Sequence, residues 1–168
     1  MKILKFIIGY IYAQIAITIH KFWITYYTLK FCKRYKKITK KEKRKLFFRS
    51  FSHDWSKYSW IEAKGFATTI FDLKNSTYGS NEYKALLDKL KPSLNHHYKK
   101  NKHHPEYWKN GINGMSITNK IEMVIDWRSA TRRHANGNIF ESININQKRF
   151  GYSDEDKYFF IEIAEYLF

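Results

Sequence analysis

Apolar residues recur in this chain every three or four positions and nowhere in convincing alternation, which puts a stripe of side chains on a helix rather than a face on a strand. The plainest case is Ile117 to Arg133, where Ile117, Ile121, Val124, Ile125 and Ala130 fall at helical spacing. With 7 Gly and 2 Pro in 168 residues, the sharp turns that a many-stranded fold needs are scarce. The expectation is an all-α fold: one domain over residues 1–168, a helical bundle without internal repeats or a domain boundary.

The elements follow from local signals. A first helix is predicted from about Ile3 to Arg34. Thr39-Lys40-Lys41-Glu42 has the spacing of a capping box, so a second helix starts at Thr39, carries Leu46, Phe47, Phe48 and Phe51, and ends near His53-Asp54. A third covers Trp60 to Leu73, and Asn75 to Ser80 is turn-like. Asn81 to Leu90 is a short helix, and Pro92 opens the next one, with Leu94, His96, His97 and Tyr98. Pro105 breaks the pattern, and Asn110 to Gly114 is a loop. Asn136-Gly137 ends the Ile117 helix; helices from Ile139 to Arg149 and from Ser153 onward complete the chain.

The N-terminus supports two readings. Phe6 to Ile19 is almost wholly apolar, with Lys2 and Lys5 ahead of it, interrupted by Gln14 and ended by His20-Lys21. That run is short for a plain membrane span, which favours a buried core helix; a membrane-associated helix over residues 1–34 is the alternative. Cys32 is the only cysteine, so no disulfide forms within the chain and a reduced compartment is expected, cytoplasmic or inside a host cell, with peripheral membrane association as the variant. The net charge of +16 favours anionic partners: phosphate esters, nucleotides, nucleic acid or an acidic membrane surface. Spread over a solvated surface, the same charge has no specific meaning.

Six of the seven histidines stand in a suggestive order. His20 lies in the first helix, His53-Asp54 ends the second, His96-His97 and His103-His104 form two close doublets, and Asp126 sits in the most apolar helix. Imidazole and carboxylate suit Mn, Fe, Ni, Zn and, less well, Mg. Taken singly, His20 reads as a core histidine, and Asp126 as a cap or an arginine partner. A buried carboxylate must nonetheless be paired, hydrogen-bonded or metal-bound. Glu122, one turn before Asp126, shares its face and is a supporting group or extra ligand. The aromatic residues Trp55, Tyr58, Trp60, Tyr107, Trp108 and Trp127 are read mostly as core, with stacking on a nucleobase as the alternative.

The order His, His-Asp, His, His-His, Asp resembles the HD superfamily of helical metal-dependent phosphohydrolases. His53-Asp54-Trp55-Ser56-Lys57 is similar to the His-Asp-x-x-Lys form common there, and His103-His104-Pro105-Glu106 looks like its His-His-Glu region with a proline inserted. The strings HDWSKY, LKPSLNHHYKKNKHHPEYW, IEMVIDWRSATRRHANG and KRFGYSDE also look like a group of small bacterial and phage proteins, over roughly Phe51 to Phe160. The resemblance implies an HD-type bundle with one or two divalent ions. It carries His20, His53, Asp54 and Asp126 over as ligands of one ion, and His97, His103 and His104 as candidates for a second.

What it implies chemically is attack by metal-activated water on a nucleotide or another small phosphate ester. Lys57 is then a phosphate contact, and Arg128 or Arg132 a bidentate clamp; solvated or surface-paired arginines are the plainer alternative. His134 reads as a general acid or, more simply, a helix cap. The rival function is a basic nucleic-acid-binding protein whose metal site is structural or degenerate.

Overall fold

The computed structural model describes residues 2–76, 80–133 and 137–168. Among these residues there are helices and no strands, as the periodicity requires. The elements are α1 (Lys2–Arg34), α2 (Lys40–Ser52), α3 (Trp60–Asn75), α4 (Asn81–Lys100), α5 (Ile117–Thr131), α6 (Ile139–Phe150) and α7 (Asp154–Glu165). Short 3-10 turns lie at Trp55–Tyr58, Pro105–Tyr107 and Gly111–Gly114. The segment Asn110 to Gly114, expected as a loop, thus contains a helical turn. The turn signal at Thr77 to Gly79, the candidate His134 and the helix stop at Asn136 lie outside the described residues.

The chain packs as two compact units, Met1–Ile19 with Asp54–Asn101, and His20–His53 with Lys102–Phe168. No linker sets them off. The chain passes from one to the other at 19/20, 53/54 and 101/102, the first crossing inside α1. No shift in composition marks such crossings.

In the first unit, α3 and α4 pair along their lengths. Leu86, Leu90, Ser93 and His97, at steps of three and four, form the buried stripe of α4. Close approach is built in at Gly65, where an added Cβ would meet Ser93 Oγ at 2.0 Å. Gly9 of α1 does the same against the backbone oxygen of Ala67, at 2.2 Å. The two short helices expected around Pro92 are one continuous helix. Pro92 removes one backbone donor but is exposed. The neighbouring turn is held because Ser93 Oγ donates to the Ile61 carbonyl at 2.8 Å.

α5 is the centre of the second unit. Ile121, Glu122, Met123, Val124 and Ile125 are all buried, so this helix is enclosed on every side. Around it pack Ile24, Tyr27 and Phe31 of α1, Leu46 of α2, Ile139 and Ile143 of α6, and Phe160 and Ile163 of α7. α2 starts as its sequence dictates: Thr39 Oγ1 accepts from the Glu42 amide at 3.2 Å, and Glu42 accepts from the Thr39 amide at 2.7 Å. Phe48 and Phe51 of α2 face solvent. Ser153 caps α7 by accepting from the Asp156 amide, and the acidic first turn Asp154-Glu155-Asp156 complements the helix dipole.

α1 departs from the favoured reading of the N-terminus, a buried core helix. It is long and apolar enough to cross a membrane by length and composition, with a mean hydropathy of 1.5 over its most apolar stretch, yet only 22% of that stretch is buried. Gly9, Ala13 and Ile17 face inward, and the opposite face is apolar and exposed.

Candidate metal centre

The second unit gathers five ionisable side chains from four segments. α1 supplies His20, the end of α2 supplies His53, α5 supplies Glu122 and Asp126, and the segment before the Pro105 turn supplies His103. His20, His53, His103 and Glu122 are buried, and Asp126 is nearly so. The four-residue step from Glu122 to Asp126 puts both carboxylates on one face of α5.

Asp126 is the meeting point. Its Oδ1 lies 2.9 Å from His20 Nε2 and 3.7 Å from His53 Nε2, and its Oδ2 is 3.9 Å from His103 Nε2. Burial pushes the Asp126 carboxyl up, but the adjacent imidazoles of His20 and His53 outweigh that and hold it well below the usual carboxylate range. It is therefore an anion at neutral pH.

Glu122 sits behind His53. Its Oε1 is 3.0 Å from His53 Nδ1 and 3.5 Å from His103 Nδ1, while its Oε2 pairs with Arg49 Nη2 at 2.5 Å. Arg49 also donates to Asn119 Oδ1. With Nδ1–H of His53 given to Glu122, it is Nε2 that faces Asp126 and would present its lone pair to a bound ion, as a ligand histidine must. His53 and His103 stack with ring centroids 4.2 Å apart, and His104 lies 4.2 Å from His103.

The donor set fits a divalent transition metal. Donor atoms of His20, His53 and Asp126 lie within 4.8 Å of one another, as do those of His53, His103 and Glu122. A tetrahedral ion with bonds of about 2.1 Å holds its donors about 3.4 Å apart. The 2.9 and 3.7 Å separations on Asp126 bracket that value.

The first unit holds a second cluster. Asp54, with φ at 55°, is the only non-glycine residue in the left-handed region among those described. Such a conformation costs on the order of 1 kcal/mol and is kept where surrounding contacts impose it. Here the Lys57 ammonium binds Asp54 Oδ2 at 2.5 Å, and His97 Nε2 lies 3.3 Å from Oδ1. Glu62, fully buried, takes His96 Nδ1 at 2.7 Å and His97 Nδ1 at 2.9 Å. Burial raises the Glu62 carboxyl, but its bonds to His97 and His96 outweigh this and hold it below its usual range. Glu62 thus does for His97 what Glu122 does for His53. His97 is buried and faces Asp54, whereas His96 is partly exposed on the far side of Glu62.

Arg128 and Arg132 stack on aromatic rings. The Arg128 guanidinium stacks over Tyr27 and Phe168, at 5.0 and 4.6 Å from the ring centroids, and Arg132 over Trp23 at 3.7 Å. In this arrangement both serve aromatic packing. The sequence alone missed Arg49 and Glu62. Both have partners distant along the chain, and the one local hint is an acid, Glu62, beside Ala63 on the inward face of a helix.

A family model described as a family of unknown function (DUF5662) matches residues 16–166, and the chain belongs to that family. No curated protein and no solved structure matches it.

Proposed function

We propose that this member of the DUF5662 family is an HD-type metal-dependent phosphohydrolase acting on a nucleotide or another small phosphate ester. The observation that carries the reading is the buried group of His20, His53, His103 and Asp126, with Glu122 fixing the His53 tautomer. Buried histidines and carboxylates must be paired or metal-bound, and a divalent ion would engage His20, His53 and Asp126 together.

In this reading His20, His53 and Asp126 hold the ion, with His103 beside them. When bound, the ion supplies an acidified water and neutralises charge on phosphoryl oxygens. Asp126, held as an anion, supplies the negative charge that a cation requires. Glu122 and Arg49 keep the imidazole of His53 aimed. In the first unit, Lys57 pairs with Asp54, and Glu62 aims His97; Asp54 and His97 are the proposed ligands of a second ion, with Lys57 as its phosphate contact.

The test is elemental analysis of the purified protein, followed by turnover on a panel of phosphorylated substrates. The expectation is stoichiometric divalent metal, turnover abolished by chelator, and loss of both in His53→Ala with the helical content kept. The Asp54→Ala variant asks whether the residue next along the chain also serves a metal. Full metal content in His53→Ala would overturn the ligand assignment.

A second reading has its own observation. Lys33, Lys36, Lys37, Lys40, Lys41, Arg44 and Lys45 form an exposed basic stretch around the start of α2. A nucleic-acid-binding protein would use it, with affinity falling steeply as salt rises and indifferent to chelator.

A further inference from the structure

We propose that the outer face of residues 4–19 of α1 rests on the surface of an anionic phospholipid bilayer, with the helix lying in the plane of the interface. Leu4, Ile7, Ile8, Ile11, Ile15 and Ile19 are 47–62% exposed and form one stripe along this part of the helix. The inner face is already engaged. Gly9, Ala13 and Ile17 are buried, Gly9 lies against the Ala67 backbone of α3, and Tyr12 packs on Phe71 at 5.4 Å. A helix apolar all round, with only one side packed on protein, leaves the other side to an apolar medium.

Two features select the bilayer surface over a transmembrane span. His20, the next residue after the stripe, is bonded to Asp126, and Lys21 Nζ donates to the Phe51 carbonyl at 3.0 Å, so a span continuing through them would strip both of their partners. Trp60, at the start of α3, is 63% exposed and packs edge-on against Phe6 with ring centroids 6.2 Å apart. An exposed indole beside an apolar helix is suited to the headgroup level.

Charge selects lipid over a second copy of the chain. The unit formed by Met1–Ile19 and Asp54–Asn101 carries ten lysines and no arginine against five acidic residues. The whole chain stands at +16, so two copies face to face would repel, whereas acidic headgroups attract. This proposal is independent of the metal reading.

The test is flotation of the full chain with vesicles of phosphatidylcholine alone and of phosphatidylcholine containing phosphatidylglycerol, at low and high salt. The expectation is flotation with the anionic vesicles, part of it surviving high salt. Replacing Ile8→Glu and Ile15→Glu together should lower partitioning about a hundredfold or more, since each removes a buried isoleucine's worth of transfer. Both positions are exposed, so far-UV circular dichroism should not change; if the glutamate pair unfolds, Ile8→Gln with Ile15→Gln gives the same reading at smaller amplitude.

Three outcomes would overturn the proposal. Binding that is indifferent to these substitutions and vanishes in salt would be charge attraction alone. A lipid-free dimer abolished by them, with no flotation, would assign the stripe to a second copy. Protein that leaves the vesicles only in detergent would be a span.

Discussion

Glu122 shows how a single residue sets the chemistry of its neighbours. It binds the Nδ1 side of His53, and Arg49 in turn holds its other oxygen. Partners of this kind are worth about 10–100-fold in metal affinity. Glu122→Gln is therefore expected to weaken metal binding by that factor in a competition titration with a chelating dye, while Asp126→Ala removes binding altogether. Equal affinity in wild type and Glu122→Gln would mean that His53 is held by something else. The four-residue spacing made the pairing of Glu122 with Asp126 readable, whereas Arg49 comes from another helix. Core residues follow ordinary packing. Phe160 is fully buried against Trp127 and Tyr152, and Phe160→Ala should cost about 3–5 kcal/mol in denaturant unfolding.

Among the elements, α2 and α4 make opposite points about local signals. The capping box of α2 forms with the residues that its sequence signature names, because each bond spans only three residues. Thr39→Ala should cost about 1 kcal/mol. Hydrogen bonds from the Thr39 backbone and hydroxyl lower the Glu42 pKa. A carboxylate with a depressed folded value contributes stability that is full above its unfolded value, about 4.3, and lost as pH falls through the folded value. Glu42→Gln should flatten that part of the acid-unfolding profile and leave the rest unchanged. In α4, the stripe from Leu86 to His97 overrides the break that Pro92 signals. An exposed proline in a helix interior costs up to about 3 kcal/mol relative to alanine. Pro92→Ala should therefore raise the free energy of unfolding by about 1–3 kcal/mol; a decrease would show that the fold uses the shape that proline imposes.

At the scale of the molecule, metal and stability are linked. A ligand at a hundred times its dissociation constant, bound only by the native state, adds about 2.7 kcal/mol. For a chain of this size that raises the melting temperature by roughly 5–10 °C. Saturating the cluster around Asp126 with a divalent transition metal should give such a rise in scanning calorimetry, chelator should reverse it, and His53→Ala should show none. No rise with any of the candidate metals would count against the centre.

What the sequence alone determined was whatever acts within a few residues: the all-helical character, the cap at Thr39, the start of α7 at Ser153, and the shared face of Glu122 and Asp126. Tertiary structure decided what depends on segments far apart meeting. It aimed Glu122 at His53 and Glu62 at His96 and His97, placed Arg128 and Arg132 over aromatic rings, and chose which side of α1 is packed. The reason is geometric. Helical spacing fixes neighbours at three and four residues, but an imidazole finds its distant carboxylate only once helices pack. A helix apolar on every side carries no mark of which side will be covered.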